Sequence, residues 1–280
     1  MQHYAGDGDE GTRDRWLKEY TDPADLHKEY CAKNPNRKCY KVDDMRRPLQ
    51  IEKDERFWVA SSLMSLFHNE RNKELFIKLF KQSFKEMPKL DGLTTWEQCL
   101  DGKISLFFEA NLPSSKVYQE WLSGRDERRI IPYIRDAAWE KKKLEGPTHV
   151  DALLINESNG FAAQFEGKLL SDMSCEVTFD LMRNQMARNI DVMLEWNLDK
   201  HGPLARRNPN RTVFLLVTPE IIKGCPHSRF YGYKYEEYKQ DPDSIGQDLL
   251  HRKGVDWGTV SSRLGWATWE GVKGIGSLPA

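Results

Sequence analysis

The chain has 280 residues, of which 39% are hydrophobic and 30% are charged, and its formal net charge is −1. This composition excludes a disordered chain, and the near-neutral charge excludes a basic surface over the whole molecule. The length suits one large domain or two smaller ones, and any nucleic-acid-binding surface must be local.

The cysteines and the apolar runs indicate the cellular compartment. Five cysteines are scattered along the chain: Cys31, Cys39, Cys99, Cys175 and Cys225. None has zinc-finger spacing, so we expect reduced thiols. Residues 1–10 are polar and acidic where a secretion signal would be basic and then apolar, and the apolar run 213–217 is too short to span a bilayer. We therefore expect a soluble cytoplasmic protein that does not contact membranes.

Residues 1–100 are predicted to form a mostly helical N-terminal region. Between Asp54 and Met87, apolar side chains recur at three- and four-residue spacing: Leu75, Phe76, Leu79, Phe80, Phe84 and Met87. Such a stripe is typical of a helix packed on a core. Thr94 to Glu97 has the pattern of a capping box and predicts the start of a further short helix.

The second region, residues 101–280, begins with an apolar run from Lys103 to Asn111, which favours a strand. A charged stretch with helical character follows, from Arg125 to Lys143. Its basic residues could guide a nucleic-acid backbone, but interspersed acids favour a solvated face.

Two apolar segments, 148–156 and 161–169, are separated by a polar turn that ends in Gly160. This pattern predicts a β-hairpin. With the turn centred near Ser158 and Asn159, opposed residues would have numbers that sum to about 317. Asp151 would then face Glu166.

Lys168 follows Glu166 by two residues and is therefore predicted to project from the same face of the strand. Opposed carboxylates on neighbouring strands are costly unless a cation lies between them. Mg²⁺ suits such a position, because it prefers oxygen ligands and shares its coordination shell with phosphate. A neighbouring lysine can offset phosphate charge or position a water molecule.

The pattern of Asp151 followed by Glu166-Gly167-Lys168 resembles the PD-(D/E)XK nuclease superfamily, whose fold is that of type II restriction endonucleases. The family often has a proline before its first acid, where this chain has Val150. The resemblance implies that Asp151 and Glu166 bind Mg²⁺, with Mn²⁺ as a plausible substitute, and that Lys168 completes the catalytic set. Family members often carry an additional upstream acid, and Glu109, Glu120 and Glu140 are open alternatives for it.

A helix is predicted from about Phe179 to Leu198. Arg183 falls within its apolar stripe and needs a partner, for which the hairpin carboxylates or a bound phosphate are the nearest candidates. Gln185 lies beside the stripe, and a glutamine in this helix recurs in the exonuclease branch of the family. The resemblance therefore suggests substrate-binding roles for Arg183 and Gln185, although the branch has a tyrosine where this chain has Asn189.

The remainder of the chain predicts one strand and two less regular segments. Thr212 to Thr218 is an apolar strand, so helix, loop and strand follow the hairpin in the order that the family fold requires. The tyrosine-rich segment 231–238 alternates like a half-exposed strand or loop, and base stacking there is a minority interpretation. Ser261 to Trp269 is predicted to be helical.

Together these patterns predict an α/β fold: a restriction-endonuclease-like mixed central sheet flanked by helices, with a helical N-terminal region. The predicted function is Mg²⁺-dependent phosphodiester hydrolysis, most plausibly of DNA, by an endonuclease. A homodimer is expected if both strands of a duplex are cut. The alternatives are a nucleic-acid-binding or scaffold protein that does not cleave, and a nuclease that acts on RNA.

Overall fold

The computed structural model describes residues 53–123, 146–174, 183–196 and 202–276. The charged stretch from Arg125 to Lys143, with Glu140 inside it, lies outside these ranges, as do the first 52 residues. No described helix is long and apolar enough to cross a membrane.

The elements alternate between helices and strands after an initial group of helices. In chain order they are α1 (Glu55–Phe67), α2 (Asn72–Ser83), α3 (Trp96–Leu100), β1 (Ile104–Leu112), α4 (Lys116–Ser123), β2 (Thr148–Asn156), β3 (Ala162–Gly167), α5 (Gln185–Met193), β4 (Thr212–Thr218), α6 (Glu220–Gly224), α7 (Phe230–Gln240), α8 (Asp243–Asp248), α9 (Trp257–Ser262), β5 (Leu264–Thr268) and α10 (Trp269–Ile275). Short 3₁₀ turns occupy Gly202–Arg206, Pro209–Arg211 and Pro226–Ser228.

The five strands form one mixed sheet in the order β1-β2-β3-β4-β5. The β1–β2 and β2–β3 pairs are antiparallel, whereas β4 pairs parallel with both β3 and β5. The predicted α/β class, with a mixed sheet that contains the hairpin and the 212–218 strand, is confirmed.

The hairpin has the predicted register. Ala152 pairs with Phe165 and Leu153 with Gln164, so the numbers of paired residues sum to 317. Gly160 closes the turn with a φ of 76°, a left-handed conformation that glycine adopts without steric cost. The position of the turn at Gly160 sets this register, because a slip by one residue would turn every side chain to the opposite face.

Helices cover both faces of the sheet. On one face, the apolar stripes of α1 and α2 pack with α3 and α10 against alternate residues of β1 to β4, including Phe108, Phe165 and Val217. On the other face, α5 and α7 cover Phe214, Leu216 and Trp266. The sheet is therefore buried on both sides, and every residue of β3 and β4 is buried.

Two predictions of secondary structure in the C-terminal part were wrong. The tyrosine-rich segment forms α7, because Tyr231, Tyr235 and Tyr238 lie four and three residues apart on one buried helical face. The predicted helix from Ser261 to Trp269 is interrupted by β5, which adds to the sheet edge beside β4. Pairing with β4 and burial of alternate side chains outweigh the helical appearance of this short segment.

Candidate active site

The candidate site lies where β3 ends beside β2. The hairpin register continues from Ala152 and Phe165 to place Asp151 opposite Glu166, as predicted. Glu166 is the penultimate residue of β3, and Lys168 directly follows the strand. The two carboxylates and the ammonium group named by the sequence pattern are therefore brought together.

Glu166 is buried and accepts hydrogen bonds at both carboxylate oxygens. Its Oε1 accepts from Lys168 Nζ at 2.9 Å and from Gln185 Nε2 at 2.7 Å. Its Oε2 accepts from Asn189 Nδ2 at 3.0 Å. Three side chains thus donate to the Glu166 carboxylate, and hydrogen bonds of this kind fix the orientation of a carboxylate.

Asp151 is half-buried, and its Oδ2 accepts a hydrogen bond of 2.7 Å from the backbone N–H of Gly167. Burial raises the pKa of Asp151 well above its ordinary value of 3.8, and the nearby Glu166 carboxylate raises it further. The Gly167 N–H and Lys168 oppose this shift without cancelling it. Repulsion between the two acids is therefore incompletely neutralised by the protein itself.

Lys168 is buried between two acids. Its Nζ lies 2.9 Å from Glu166 and 3.9 Å from Glu55 of α1. Burial alone would lower the pKa of Lys168, but the Glu166 carboxylate, with Asp151 and Glu55, raises it above 10.5. The side chain is accordingly a charged ammonium at neutral pH. Its backbone is held by Trp269, whose Nε1 donates to the Lys168 carbonyl at 3.0 Å.

Gly167 is required by the close approach of two helices. A Cβ atom at this position would lie 2.5 Å from a methyl group of Val59 and 3.2 Å from the ring of Trp269. Glycine between Glu166 and Lys168 therefore lets α1 and α10 close over the strand that carries the site.

Glu109 is the upstream acid that the fold brings to the site. The pairs on either side of it, Phe108 with Ala152 and Ala110 with Val150, place it opposite Asp151 on β1. Burial raises the pKa of Glu109, and the Glu166 carboxylate contributes to this shift. Glu120 is instead exposed on α4, and Glu140 lies outside the described residues. Of the two alternatives that the structure describes, Glu109 is the one placed beside the hairpin acids.

The backbone at Glu109 is itself unusual. Its φ of 49° makes it the single non-glycine residue with positive φ among those described. Left-handed conformations of such residues cost on the order of 1–3 kcal/mol and cluster at functional sites. The pairing of β1 with β2 is regular on both sides of Glu109. The unusual backbone is therefore confined to the position beside Asp151.

Helix α5 supplies the polar side chains above Glu166. Asn184 caps its first turn by accepting from the N–H of Ala187 at 2.9 Å, and this cap fixes where the helix begins. Gln185 and Asn189 are one turn apart and therefore project from the same side. The structure shows both amides donating to Glu166, so the direct role of Gln185 is to orient a carboxylate.

Arg183 has a different partner from those expected. Its side chain is fully buried, its NH2 group donates to Asp191 at 2.6 Å, and its guanidinium lies 3.7 Å above the ring of Tyr118. Neither hairpin carboxylate takes part in these contacts. Arg183 lies just before the N-cap of α5, and its buried charge is paired with Asp191, an acid of that helix.

Sequence reasoning missed Glu55 and the role of Asn189. Glu55 Oε1 accepts hydrogen bonds from the backbone N–H of Leu169, at 2.8 Å, and from the hydroxyl of Ser171, at 2.7 Å. This acid is remote in sequence and carries no motif, so no local pattern could identify it. Asn189 was recognisable as a polar residue one turn after Gln185 on the same flank of the helix.

The donor set fits a hard divalent cation in its chemistry. Carboxylate oxygens are the ligands that Mg²⁺ prefers, and the pKa of Asp151 is raised by burial and then by the Glu166 carboxylate, two effects that a bound cation would oppose. Within the described ranges, no group of three or more His, Cys, Asp or Glu side chains has metal-binding geometry. Asp151 and Glu166 are therefore a pair of candidate ligands, to which substrate and water would add the others.

Comparisons with family models, with curated proteins and with solved structures gave no significant match to this chain.

Proposed function

We propose that the protein is a metal-dependent nuclease that hydrolyses phosphodiester bonds, with DNA as the preferred substrate. The observation that carries this proposal is the convergence of Asp151, Glu166 and Lys168 at the ends of two adjoining strands. Two acids held close together in a protein lower its stability. Binding of a cation and a phosphate group would offset their repulsion and would explain why both acids are present.

Asp151 and Glu166 would hold Mg²⁺ or Mn²⁺. When bound, such an ion polarises the phosphoryl group and lowers the pKa of a coordinated water. The pKa of Asp151 is raised in the free protein, so a cation would have to displace a proton from this carboxyl at low pH. Glu109, opposite Asp151, is a further acid that could extend the ligand set.

Lys168 would neutralise charge on the scissile phosphate. Of the two roles expected for it, this one is favoured because its neighbouring acids keep the amine protonated at neutral pH. A protonated ammonium can donate hydrogen bonds to phosphate oxygens but cannot remove a proton from water.

Gln185 and Asn189 would orient Glu166, and the N–H of Gly167 would orient Asp151. Partners of this kind hold ligating carboxylates in place and contribute about 10- to 100-fold to metal affinity or activity.

We further propose that the fold is restriction-endonuclease-like. The order of the antiparallel hairpin, α5 and the parallel strand β4 supports this.

A plasmid assay tests the proposal. We expect purified protein to nick or linearise plasmid DNA with MgCl₂ and to be inactive with EDTA, and we expect Asp151→Ala, Glu166→Ala and Lys168→Ala to abolish cleavage while circular dichroism remains native. Glu97→Ala and Lys81→Ala are matched controls, because these residues form an exposed ion pair at 2.9 Å elsewhere. Retained cleavage by the first three variants would refute the assignment.

The same assay separates the alternatives. Cleavage of a structured RNA but not of plasmid would indicate a ribonuclease. Binding of either polymer without metal-dependent cleavage would favour a scaffold or binding protein on the same fold.

A further inference from the structure

Strand β5 is the last strand in the order of the sheet, and one of its edges faces away from β4. The backbone N–H of Phe214 on β4 donates to the Arg263 carbonyl at 3.0 Å. Backbone groups of successive residues in a strand point to alternate sides, so the carbonyls of Leu264 and Trp266 point away from β4. These two carbonyls therefore form the free edge.

Two ammonium groups lie side by side along this edge. Lys223 of α6 donates to the Trp266 carbonyl at 2.6 Å, and Lys239 of α7 donates to the Leu264 carbonyl at 3.2 Å and to the Ser261 carbonyl at 2.8 Å. Leu264 and Trp266 are two residues apart in the strand, so their carbonyls are separated by about 7 Å. Lysines on an edge strand prevent it from pairing with another chain.

Lys85 adds a third positive charge, which protection of the edge does not explain. It follows Phe84, whose ring lies so close to Gly265 that a Cβ atom on this glycine would be 2.5 Å from it. Lys85 is exposed and makes no hydrogen bond or ion pair with a described residue. Burial lowers the pKa of Lys223 and of Lys239, and the charge of Lys85 lowers both further.

No acid pairs with these three lysines among the described residues. Glu220 raises the pKa of Lys223, and Glu236 raises that of Lys239, but neither acid forms an ion pair with its lysine. An ammonium group has three N–H donors, so Lys223 retains two of them and Lys239 retains one. Clustered cations without acids attract an anion, and the free donors are available to bind it.

The lysines and the candidate site lie in one row of the sheet. Glu166 pairs with Leu216, and Leu216 pairs with Trp266. Neighbouring strands are about 4.8 Å apart, so the backbone of Trp266 is about 10 Å from that of Glu166. Duplex DNA carries one negative charge per about 1.7 Å of its axis. A duplex with one phosphate at the candidate site therefore has further phosphates within reach of the lysines.

We propose that Lys85, Lys223 and Lys239 form a second phosphate-binding site, which holds the DNA backbone beside the catalytic centre. This inference rests on the proposed function, because that function supplies the polyanion. Contacts with backbone phosphates position a nucleic acid without reading its sequence. The three lysines therefore contribute to the binding of DNA and not to the hydrolytic step.

The salt dependence of DNA binding tests this. Fluorescence anisotropy of a labelled duplex, measured in EDTA over a range of NaCl concentrations, gives the slope of log affinity against log salt. Each phosphate contact contributes about 0.9 to this slope, so the triple variant Lys85→Gln, Lys223→Gln, Lys239→Gln should have a slope that is smaller by about 2.7. An unchanged slope would overturn the proposal.

Lys103→Gln is the matched control. Lys103 is also an exposed lysine, but it pairs with Glu157 at 3.0 Å beside the hairpin turn, at the other end of the sheet. Its replacement should leave the slope unchanged. A decrease per lysine as large as that in the triple variant would show that any lost surface charge has this effect, which overturns the assignment of a particular site.

Single variants separate DNA binding from protection of the edge. Lys85→Gln removes no hydrogen bond, so it should lower the slope by about 0.9 at an unchanged Tm, even if the other two replacements prevent folding. Lys223→Arg keeps the charge and should keep the slope of the unmodified protein. A lower Tm in Lys223→Gln with no change of slope in any variant would assign the lysines to the edge alone and overturn the proposal.

Kinetics distinguish the failure of this inference from that of the proposed function. With MgCl₂, the triple variant should have a raised KM for plasmid DNA and an unchanged kcat; a lowered kcat with an unchanged KM would contradict the binding role. If the unmodified protein binds DNA with the expected dependence on the lysines but does not cleave it, the proposed function fails and the second site stands. If the protein cleaves DNA and the variants do not differ from it, only this inference fails.

Discussion

Helix α5 contacts two buried charged groups that are balanced differently. On one side, Gln185 and Asn189 hold Glu166, which lies with Asp151 and Glu55 around Lys168. On its other side, Asp191 pairs with Arg183 and Arg252 and contacts His251, and Arg252 also pairs with Glu195. The first cluster has more acids than cations, whereas in the second the acids and the arginines are equal in number.

The Asp191 cluster is fully compensated. Asp191 accepts from Arg183 at 2.6 Å, from Arg252 at 2.6 Å and from His251 at 2.9 Å. Burial alone would raise the pKa of Asp191, but its hydrogen bond with His251 and the charges of Arg183 and Arg252 lower it to about 2. The ionised form is thus the favoured one, as expected for an acid whose purpose is to hold the fold together.

The difference separates a structural cluster from the one proposed to be functional. Asp151 and Asp191 are the same residue type and both are influenced by burial, yet their pKa values move in opposite directions because their neighbours differ in sign. Repulsion left unrelieved by the protein, together with the left-handed backbone at Glu109, marks the end of the sheet where a ligand would complete the electrostatics.

Asp151→Asn should have the largest effect on cleavage and little effect on stability. We expect the cleavage rate to fall at least about a thousandfold, because a carboxylate at the reacting centre is lost. The free energy of unfolding should stay the same or rise, because asparagine can still accept from Gly167 N–H and the repulsion from Glu166 is removed. Plasmid cleavage and urea denaturation measure the two effects; a marked loss of stability would contradict the comparison.

Asp191→Asn should have a large effect on stability and little effect on cleavage. Removing this charge takes away the acid paired with the fully buried Arg183, while Arg252 keeps its ion pair with Glu195, and should lower the free energy of unfolding by about 3–5 kcal/mol. Cleavage per folded molecule should change little at a temperature where the variant remains native. A variant as stable as the parent in urea would show that this cluster is not structural.

Gln185→Ala should have an intermediate effect. Glu166 would lose one of its orienting amides, so we expect cleavage to fall by about 10- to 100-fold. Gln240→Ala, an exposed glutamine of α7, is the matched control and should leave the rate unchanged. Loss of DNA affinity with an unchanged maximal rate would instead support the substrate-binding role that the sequence suggested for Gln185.

The smallest expected effect is on how stability depends on pH. Because the folded-state pKa of Asp151 lies above 3.8, its contribution is fully present below that pH and is lost as the pH rises through the raised value. The contribution of Asp191 is present above pH 3.8 and is lost as the pH falls toward about 2. Urea denaturation across this range should show a shallower decline above pH 4 in Asp151→Asn and a shallower acid decline in Asp191→Asn. Unchanged slopes in both variants would contradict the assigned shifts.

What the sequence could predict depended on local periodicity. The hairpin register followed from the position of the glycine-ending turn, whose centre near Ser158 and Asn159 predicts pairs that sum to about 317. The tyrosine-rich helix was missed because Tyr231, Tyr233 and Tyr235 also alternate, and only burial distinguishes the helical face from a strand. A period of two and a period of 3.6 are easily confused over so few residues.

Long-range contacts could not be predicted in the same way. Glu55 reaches Lys168 because α1 packs on the sheet, and Glu109 reaches Asp151 because β1 pairs with β2. Arg183 pairs with Asp191 and not with the hairpin acids, because the apolar side chains of α5 that face the sheet set the orientation of this helix. Each contact is set by tertiary packing, which leaves no pattern in neighbouring residues.

The packing of Gly167 between α1 and α10 has a consequence for synthesis of the chain. Val59 precedes the central sheet in sequence and Trp269 follows it, yet both lie against this glycine, and Trp269 also holds the carbonyl of Lys168. In a nascent polypeptide, Asp151 and Glu166 are synthesised before Trp269. The contacts of Trp269 with Gly167 and Lys168 can therefore form only after residue 269 has left the ribosome. The proposed catalytic centre therefore closes only after residue 269 has been synthesised, and a shorter nascent chain would lack these two contacts.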